Sequence, residues 1–566
     1  MAVRLIGRDR ERRAVEGLGR SQQGGSSTVV RGAAGTGKTS LLACAAEEAR
    51  RRGVTVFACT GLEAELSIPF GAVADLLRPV LGGLDQLPRA QRTALAVSLA
   101  LEAGPPAGPL AACTGALNLL GAASERQPLL ILVDDFQWID VDSRLILQFV
   151  ARRLREERVT MLIATRDGHD CGLVLESLPS IYLAALPRES CAQIARELGL
   201  SLDAADLDAL MASTGGNPLA VVENLRMAVG GRTVGPLYES LEGRWSQAWS
   251  RLPPDTRQAM LMVAQDYAVG GSTALRALEG RGLTAACLAP AEMAGLVGAG
   301  LDRLELRHPL VRQVIVGHAG RDERADALHA LAAAAAEPAR TWLLADAASG
   351  PDETLAQRLE DAAQEAAVHN GTGSAAQAYL RAAELSPGPA QRAGRLFQAA
   401  RFAFLVGVPS AAVHWCEDAA ACCDEEPAFV LAVQRLACYA RTTLGDLDTA
   451  YESLMRAAQE AVAVCPGAAA EAFAEASAPA AGCGDMARVR AAASAAEQIW
   501  REVPDAGATA TRPALAMACG AFTMAGDLDR ARGYMDLLEA TAADEFDVDE
   551  LAGVAFFVEC LTWAER

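Results

Sequence analysis

Ten residues, RGAAGTGKTS (31–40), constrain this chain more than any other stretch. Their core, GAAGTGKT from Gly32 to Thr39, fits the pattern G-x-x-x-x-G-K-[ST]. The preceding STVVR (27–31) has the β-branched character of a short buried strand. The following KTSLLACAAEEARRRG has helical periodicity, arginines in its last turn and Gly53 as a stop. Strand, glycine loop and helix is the setting in which backbone N–H groups turn inward around phosphates and a helix N-terminus adds its positive end. Gly32, Ala33, Ala34, Gly35, Thr36, Gly37, Lys38, Thr39 and Ser40 are therefore the predicted phosphate cradle. Lys38 would reach the β- and γ-phosphates as a compact charge, and Thr39 would ligate Mg²⁺. A glycine-rich turn without a ligand is the competing reading.

Composition sharpens the first reading. Of 51 basic residues, all but Lys38 are arginine, and the chain is alanine-rich, a composition of the kind that the codon bias of a GC-rich genome produces. A planar guanidinium is a poor substitute for an ammonium enclosed by such a loop, so the exception marks a physical requirement.

Two further apolar runs extend the pattern. PLLILVDDFQWID (128–140) reads as a parallel strand buried on both faces and ending in two carboxylates. Asp134 would hold Mg²⁺ through water, and Asp135 would polarise the attacking water or sense the γ-phosphate. A buried strand that merely ends at an acidic turn is the alternative. VTMLIATRD (159–167) ends in Thr165 and Arg166, where Arg166 would contact the γ-phosphate or form a solvent-facing salt bridge.

Several segments, in order, resemble one family. LIGRDRERRAVEGL is similar to the hh-G-R-x-x-E-x-x-x-L segment of AAA-like ATPases, and ELSIPFGAVADLLRPVL (65–81) to their E-x-x-x-P-F segment. DDFQWIDVDSRLILQFVARRL resembles the D-D-x-[HQ]-W-x-D-x-x-S segment of the large ATP-binding LuxR-type regulators. TGGNPLAVVE (214–223) resembles their G-N-P-L lid motif, and LRHPLVRQVI (306–315) their H-P-L-x-R segment. That family is part of the STAND class of signal-transducing ATPases. The resemblance implies a parallel sheet in the AAA-like 5-1-4-3-2 order, followed by a helical lid, a winged helix and a repeat solenoid. It implies ATP/ADP with Mg²⁺ as cofactors, Leu5 and Ile6 near the adenine, Pro218 over the base, and His308 at the β-phosphate. Asn217 and Pro218 also read as a helix cap and first helical residue. By the same resemblance, ATP favours self-association, an inducer acts on the lid or the repeats, hydrolysis is slow, and the output is transcription activation of a biosynthetic pathway. A nucleotide-gated protein scaffold without DNA binding and a conventional AAA-type ATPase are the alternatives.

At 566 residues the chain exceeds one core. The expected division is a P-loop domain over 1–185, a helical lid over 186–250, a winged helix over 251–335 and tetratricopeptide-like helices over 336–566. The last region repeats a template of apolar helix, glycine turn, small residue and amphipathic helix, with Gly373, Gly407, Gly445, Gly484 and Gly526 at the turns. Such repeats stack into a solenoid with a surface for a peptide or small inducer. A generic alanine-rich bundle is the other reading. The net charge of −20 repels a phosphate backbone overall, and the arginines are interspersed with acids rather than gathered into a basic module. DNA contact would depend on a helix-turn-helix, and no match to one is found in the chain. The final ELAGVAFFVECLTWAER stops mid-helix by its pattern, which favours truncation. Fourteen cysteines without a C-x-x-C pair suggest buried free thiols rather than a metal or disulfide framework. With no leader-like N-terminus and no long apolar run, the expectation is a cytoplasmic protein without a membrane span.

Overall fold

A computed structural model describes residues 5–18, 24–62, 66, 68–102, 109–155, 157–167, 173–229, 241–266, 272–297, 306, 309–423, 426–503 and 511–540. The chain divides into two compact units. One comprises 1–350 with 364–374, the other 351–363 with 375–566.

The first unit is built on strands β1 (Ser26–Arg31), β2 (Thr55–Thr60), β3 (Leu129–Asp134), β4 (Val159–Thr165) and β5 (Ser180–Tyr182). They form one five-stranded sheet in the order β2-β3-β4-β1-β5, every pair parallel. Read from the other edge, this is the expected 5-1-4-3-2 order. Helices α1 (Asp9–Leu18), α2 (Lys38–Arg51), α3 (Gly71–Leu77), α4 (Arg89–Ser98), α5 (Pro109–Arg126) and α6 (Val141–Arg153) accompany the sheet. Successive strand residues point to opposite faces. Val29, Ile131, Val133, Met161 and Ile163 pack with residues of α3 to α6. Val30, Leu130, Leu132, Leu162 and Ala164 pack with Leu41, Leu42, Ala45 and Ala46 of α2. All six β3 residues are buried, which is why its sequence is a continuous apolar run rather than an alternation. Each such large side chain contributes about 1.5–3 kcal/mol of burial.

Past α7 (Leu173–Glu176), helices α8 (Arg188–Glu197), α9 (Ala204–Thr214) and α10 (Pro218–Val229) close a smaller core around Cys191, Ile194, Leu210, Val221 and Leu225. Helices between Leu241 and Ala347 gather a further core around Trp245, Met260, Leu288, Val311 and Leu331. An antiparallel bridge joins Val297 and Leu306 there. Most of the RLELRHP segment, His308 included, lies outside the described residues.

Among the described residues of the second unit, the regular elements are all helices, joined by short turns. Gly407, Gly445, Gly484 and Gly526 adopt φ between +73° and +85°, the left-handed geometry that lets a helix end and the chain reverse. Alanines such as Ala399, Ala412, Ala437, Ala450 and Ala492 have no exposed surface, so neighbouring helices approach closely. Gly373 departs from the template. It lies in the first turn of helix Thr372–Leu385, and Asn370, at φ 61°, takes the left-handed position instead. Each described cysteine is free. Among the described residues no helix is long and apolar enough to cross a membrane.

Candidate nucleotide site

The loop from Gly32 to Gly37 leaves β1, which lies between β4 and β5, and enters α2 at Lys38. Gly35 and Gly37 hold φ of +77° and +95°, where a side chain is strained. No side chain caps α2, so its first-turn N–H groups remain available as donors.

The carbonyls of the loop are engaged one after another. Lys38 Nζ donates to Gly32 O at 2.8 Å and to Ala33 O at 2.9 Å. Asn217 Nδ2 donates to Ala34 O at 2.8 Å, and the Leu219 N–H to Gly35 O at 3.2 Å. Arg8 donates to Thr36 O at 3.2 Å and also to Ala184 O. Five successive carbonyls thus each have a named donor. Holding carbonyls to one side leaves the alternate N–H groups to line a concave anion site.

Lys38 is buried, and burial lowers its pKa, while Asp135 opposes that shift. Asp134, at the buried end of β3, is raised chiefly by burial, with the Thr39 hydroxyl hydrogen bond as the main opposing influence. Thr39, the predicted cation ligand, and Asp134, predicted to hold the cation through water, are therefore neighbours. Their oxygens are the hard donors Mg²⁺ takes. The open loop N–H groups, the lysine and this oxygen pair fit a nucleotide phosphate with a divalent cation.

Asp135 sits in the left-handed region (φ 45°, ψ 49°) at the start of a single 3-10 turn, Phe136–Trp138. Its Oδ1 accepts from Gln137 Nε2 at 2.7 Å and lies 3.8 Å from Arg166 Nε. The Arg166 guanidinium is 5.9 Å from the centre of the Trp138 ring. Arg166 thus pairs with Asp135 within the site rather than in open solvent; its side chain is 12 % exposed.

Leu5 and Ile6 separate. Leu5 packs with the α2 face of the sheet and Ile6 with the α8–α10 core. Asn217 caps α10, its Oδ1 accepting from the Leu219 and Ala220 N–H groups, and half-buried Pro218 is the first helical residue.

Four functional side chains escaped sequence reasoning. Arg8, in the quoted G-R-x-x-E string, is 5 % exposed and pins the loop while lying 3.6 Å from Glu11. Asp140 caps α6 through the Ser143 N–H at 2.8 Å and also accepts from the Phe70 N–H at 2.9 Å and the Ala72 N–H at 3.5 Å. Ser143 Oγ accepts from the Val73 N–H at 3.1 Å. The P-F and D-x-x-S strings therefore meet, one carboxylate seating two helix N-termini. Burial pushes Asp140 up to about 6. Gln137, buried beside Asp135, is the fourth. The motif strings held all four, but nothing local in them names the distant partner.

Residues 4–163 match the family described as AAA ATPase domain. No curated protein matches the chain in sequence. Among solved structures, it is similar to a signal transduction ATPase with numerous domains (STAND) protein with a tetratricopeptide repeat sensor from Pyrococcus horikoshii. That match has 15 % identity and a TM-score of 0.44, over 99 % of this chain and 80 % of that one. A Walker-type ATPase of Pyrococcus abyssi matches at 13 % identity and a TM-score of 0.30, over 55 % and 96 % of the two chains. AMPPCP-bound DnaA from Aquifex aeolicus matches at 17 % and 0.24, over 65 % and 90 %.

Proposed function

We propose that the chain is a nucleotide-dependent signalling ATPase in which ATP and ADP, with Mg²⁺, bind at the Gly32–Ser40 loop and bias the helices that follow. The carrying observation is the double contact of the lid with the loop, Asn217 to Ala34 O and Leu219 N–H to Gly35 O. A rearrangement of the loop around phosphates would move the two carbonyls the lid holds. The AAA ATPase match over 4–163 supports the same reading.

In this reading Lys38 leaves Gly32 O and Ala33 O to neutralise phosphate oxygens, and the α2 N–H groups donate to them. Thr39 would ligate Mg²⁺ and Asp134 would hold it through water; the ion supplies charge neutralisation of the phosphates. Asp135 orients water, and Arg166 sits beside it to face developing charge. Pro218 over the base, Leu5 and Ile6 near the adenine, and His308 at a β-phosphate complete the assignment. The finer proposal follows the family resemblance: 1–185 as nucleotide domain, 186–250 as lid, 251–335 as winged helix and 336–566 as repeats, in a cytoplasmic regulator. An inducer on the lid or repeats and ATP-dependent self-association would together activate transcription.

The test is nucleotide affinity and oligomeric state together. Wild type should bind a fluorescent ATP analogue and change mass by light scattering when ATP replaces ADP. Lys38→Ala should weaken binding by at least about 100-fold, since a charged partner of several phosphate oxygens is lost. Lys38→Arg should be nearly as damaging. A Lys38→Arg protein with normal affinity would refute the phosphate role of the lysine, and an oligomeric state indifferent to nucleotide would refute the switch.

A further inference from the structure

The 3-10 turn after β3 carries Gln137 inward, where it is 6 % exposed. Its amide orientation is settled by its partners. The backbone N–H of Arg166 can only donate, and it meets Gln137 Oε1 at 3.0 Å. The Thr165 hydroxyl donates to the same oxygen at 3.3 Å. The NH₂ group must therefore face Asp135, and it donates to Oδ1 at 2.7 Å. One side chain thus ties the carboxylate beyond β3 to the end of β4, its sheet neighbour.

Asp135 needs such a tie. Its left-handed backbone is a conformation that surroundings must enforce. Its short side chain lies 3.8 Å from the Arg166 guanidinium, outside ordinary hydrogen-bond range. Without the Gln137 N–H the carboxylate is free to turn and close onto that cation, which would withdraw it from any water. With the N–H in place, Oδ1 is occupied and Oδ2 remains to orient a nucleophile.

We propose that Gln137 is a positioning residue for ATP hydrolysis, holding Asp135 through Oδ1 and setting its separation from Arg166. The inference rests on the reading of Asp135 as the group that orients water. In that reaction the water oxygen bonds to the γ-phosphorus. The bond from that phosphorus to the bridging oxygen breaks, its electron pair leaving on ADP; one water proton stays on the oxygen now bound to phosphorus and the other passes to another oxygen of the released phosphate.

The experiment measures ATP affinity and phosphate release separately in the full chain. Gln137→Leu removes donor and acceptor. Gln137→Glu keeps an acceptor for Arg166 N–H and Thr165 but offers Asp135 no N–H. Gln137→His, assayed at about pH 8 where the imidazole is neutral, restores one donor and one acceptor. Both Leu and Glu variants should lose about 10- to 100-fold in kcat, the cost of a misplaced reacting group. Their ATP affinity should stay within about twofold of wild type, and the His variant should recover most of the lost turnover, because preorganisation acts on the reacting geometry rather than on binding. The inference falls if either variant hydrolyses ATP at the wild-type rate. It also falls if affinity and kcat drop together without rescue by His, or if wild type binds ATP yet releases no phosphate. A wild-type protein that fails to bind ATP would instead overturn the site itself. Should Gln137→Leu misfold, the Glu and His pair decides the matter alone.

Discussion

Asp142 offers a quantitative test of how the first unit holds its outlying segment 364–374. The residue is 1 % exposed in α6. Its carboxylate accepts from the Gly373 N–H at 2.9 Å, the Ser374 N–H at 3.1 Å and the Ser374 hydroxyl at 3.0 Å. These are the first-turn donors of helix Thr372–Leu385, so Asp142 serves as an N-cap supplied from 231 residues away. Asp142→Ala strands up to three buried donors, each costing about 1–3 kcal/mol if left unpaired. Two effects reduce that sum. Burial raises the pKa of Asp142, so its removal also relieves a desolvation cost. The adjoining cavity, about 10 Å³ and lined by Phe70, Ser98, Asp142 and Asn370 among others, would be enlarged by the truncation, and a water entering it would satisfy some of the stranded donors. The net expectation is a loss of about 2–4 kcal/mol, with Asp142→Asn losing about half as much because one acceptor oxygen survives. Urea unfolding gives the global figure, and amide exchange at Gly373 and Ser374 gives the local one. An alanine variant within about 0.5 kcal/mol of wild type, with those two amides still protected, would refute the capping argument.

Two other perturbations probe the scaffold of the site. Asp140 is raised from 3.8 to about 6 by burial, so the folded state takes up its proton first as pH falls. Its contribution is least favourable above pH 6 and improves between about pH 7 and pH 4, by on the order of 3 kcal/mol. Asp140→Asn does not titrate, so wild type should gain on that variant as the solution is acidified; a pH-independent gap in urea midpoints would contradict burial as the dominant cause. Asn217→Ala removes both the α10 cap and the bond to Ala34 O, which should cost about 1–2 kcal/mol. It should also loosen the nucleotide response of the lid, read as a smaller ATP-dependent change in protease cleavage after α9. Unchanged protection would show that the lid does not depend on this contact.

Which parts of this were legible beforehand follows from the range of each interaction. The loop could be read because strand, glycines, lysine and helix are contiguous, and local backbone requirements leave local residue choices. The sheet order followed from the resemblance, whereas the apolar runs such as LLILVD marked only that the strands are buried on both faces. Asp140 and Phe70 are 70 residues apart, and Asn217 and Ala34 are 183 apart. An aspartate before a helix shows that it will cap something, but not that it will cap a second helix as well. Gly373 misled for a related reason. A glycine near a helix start is normally a turn residue, whereas here it lets the chain pass within reach of Val141, where a Cβ would stand 2.5 Å from the valine side chain. The actual turn falls to Asn370, whose buried side chain donates to Ser98 Oγ at 3.2 Å.

The pattern of donors around the loop narrows where a signal could leave the site. Gly32 O and Ala33 O are held by Lys38, the very group a phosphate would recruit, so ligand binding exchanges those two bonds locally. Thr36 O is held by Arg8, which is also anchored at Ala184 beside the sheet and so resists displacement. Of these five carbonyls, Ala34 O and Gly35 O are the two held among the described residues by Asn217 and Leu219, at the start of α10. Gly35 has the left-handed φ that allows its flanking peptides to reorient, and a Cβ on it would meet Asn217 Oδ1 at 2.7 Å. Turning the peptide between Ala34 and Gly35 to present its N–H to a phosphate carries the Ala34 carbonyl with it, because the peptide is planar. The bond to Asn217 must then break or draw α10 along. On the proposed reading α10 would follow that one peptide plane, while Arg8 holds the adjoining Thr36 carbonyl.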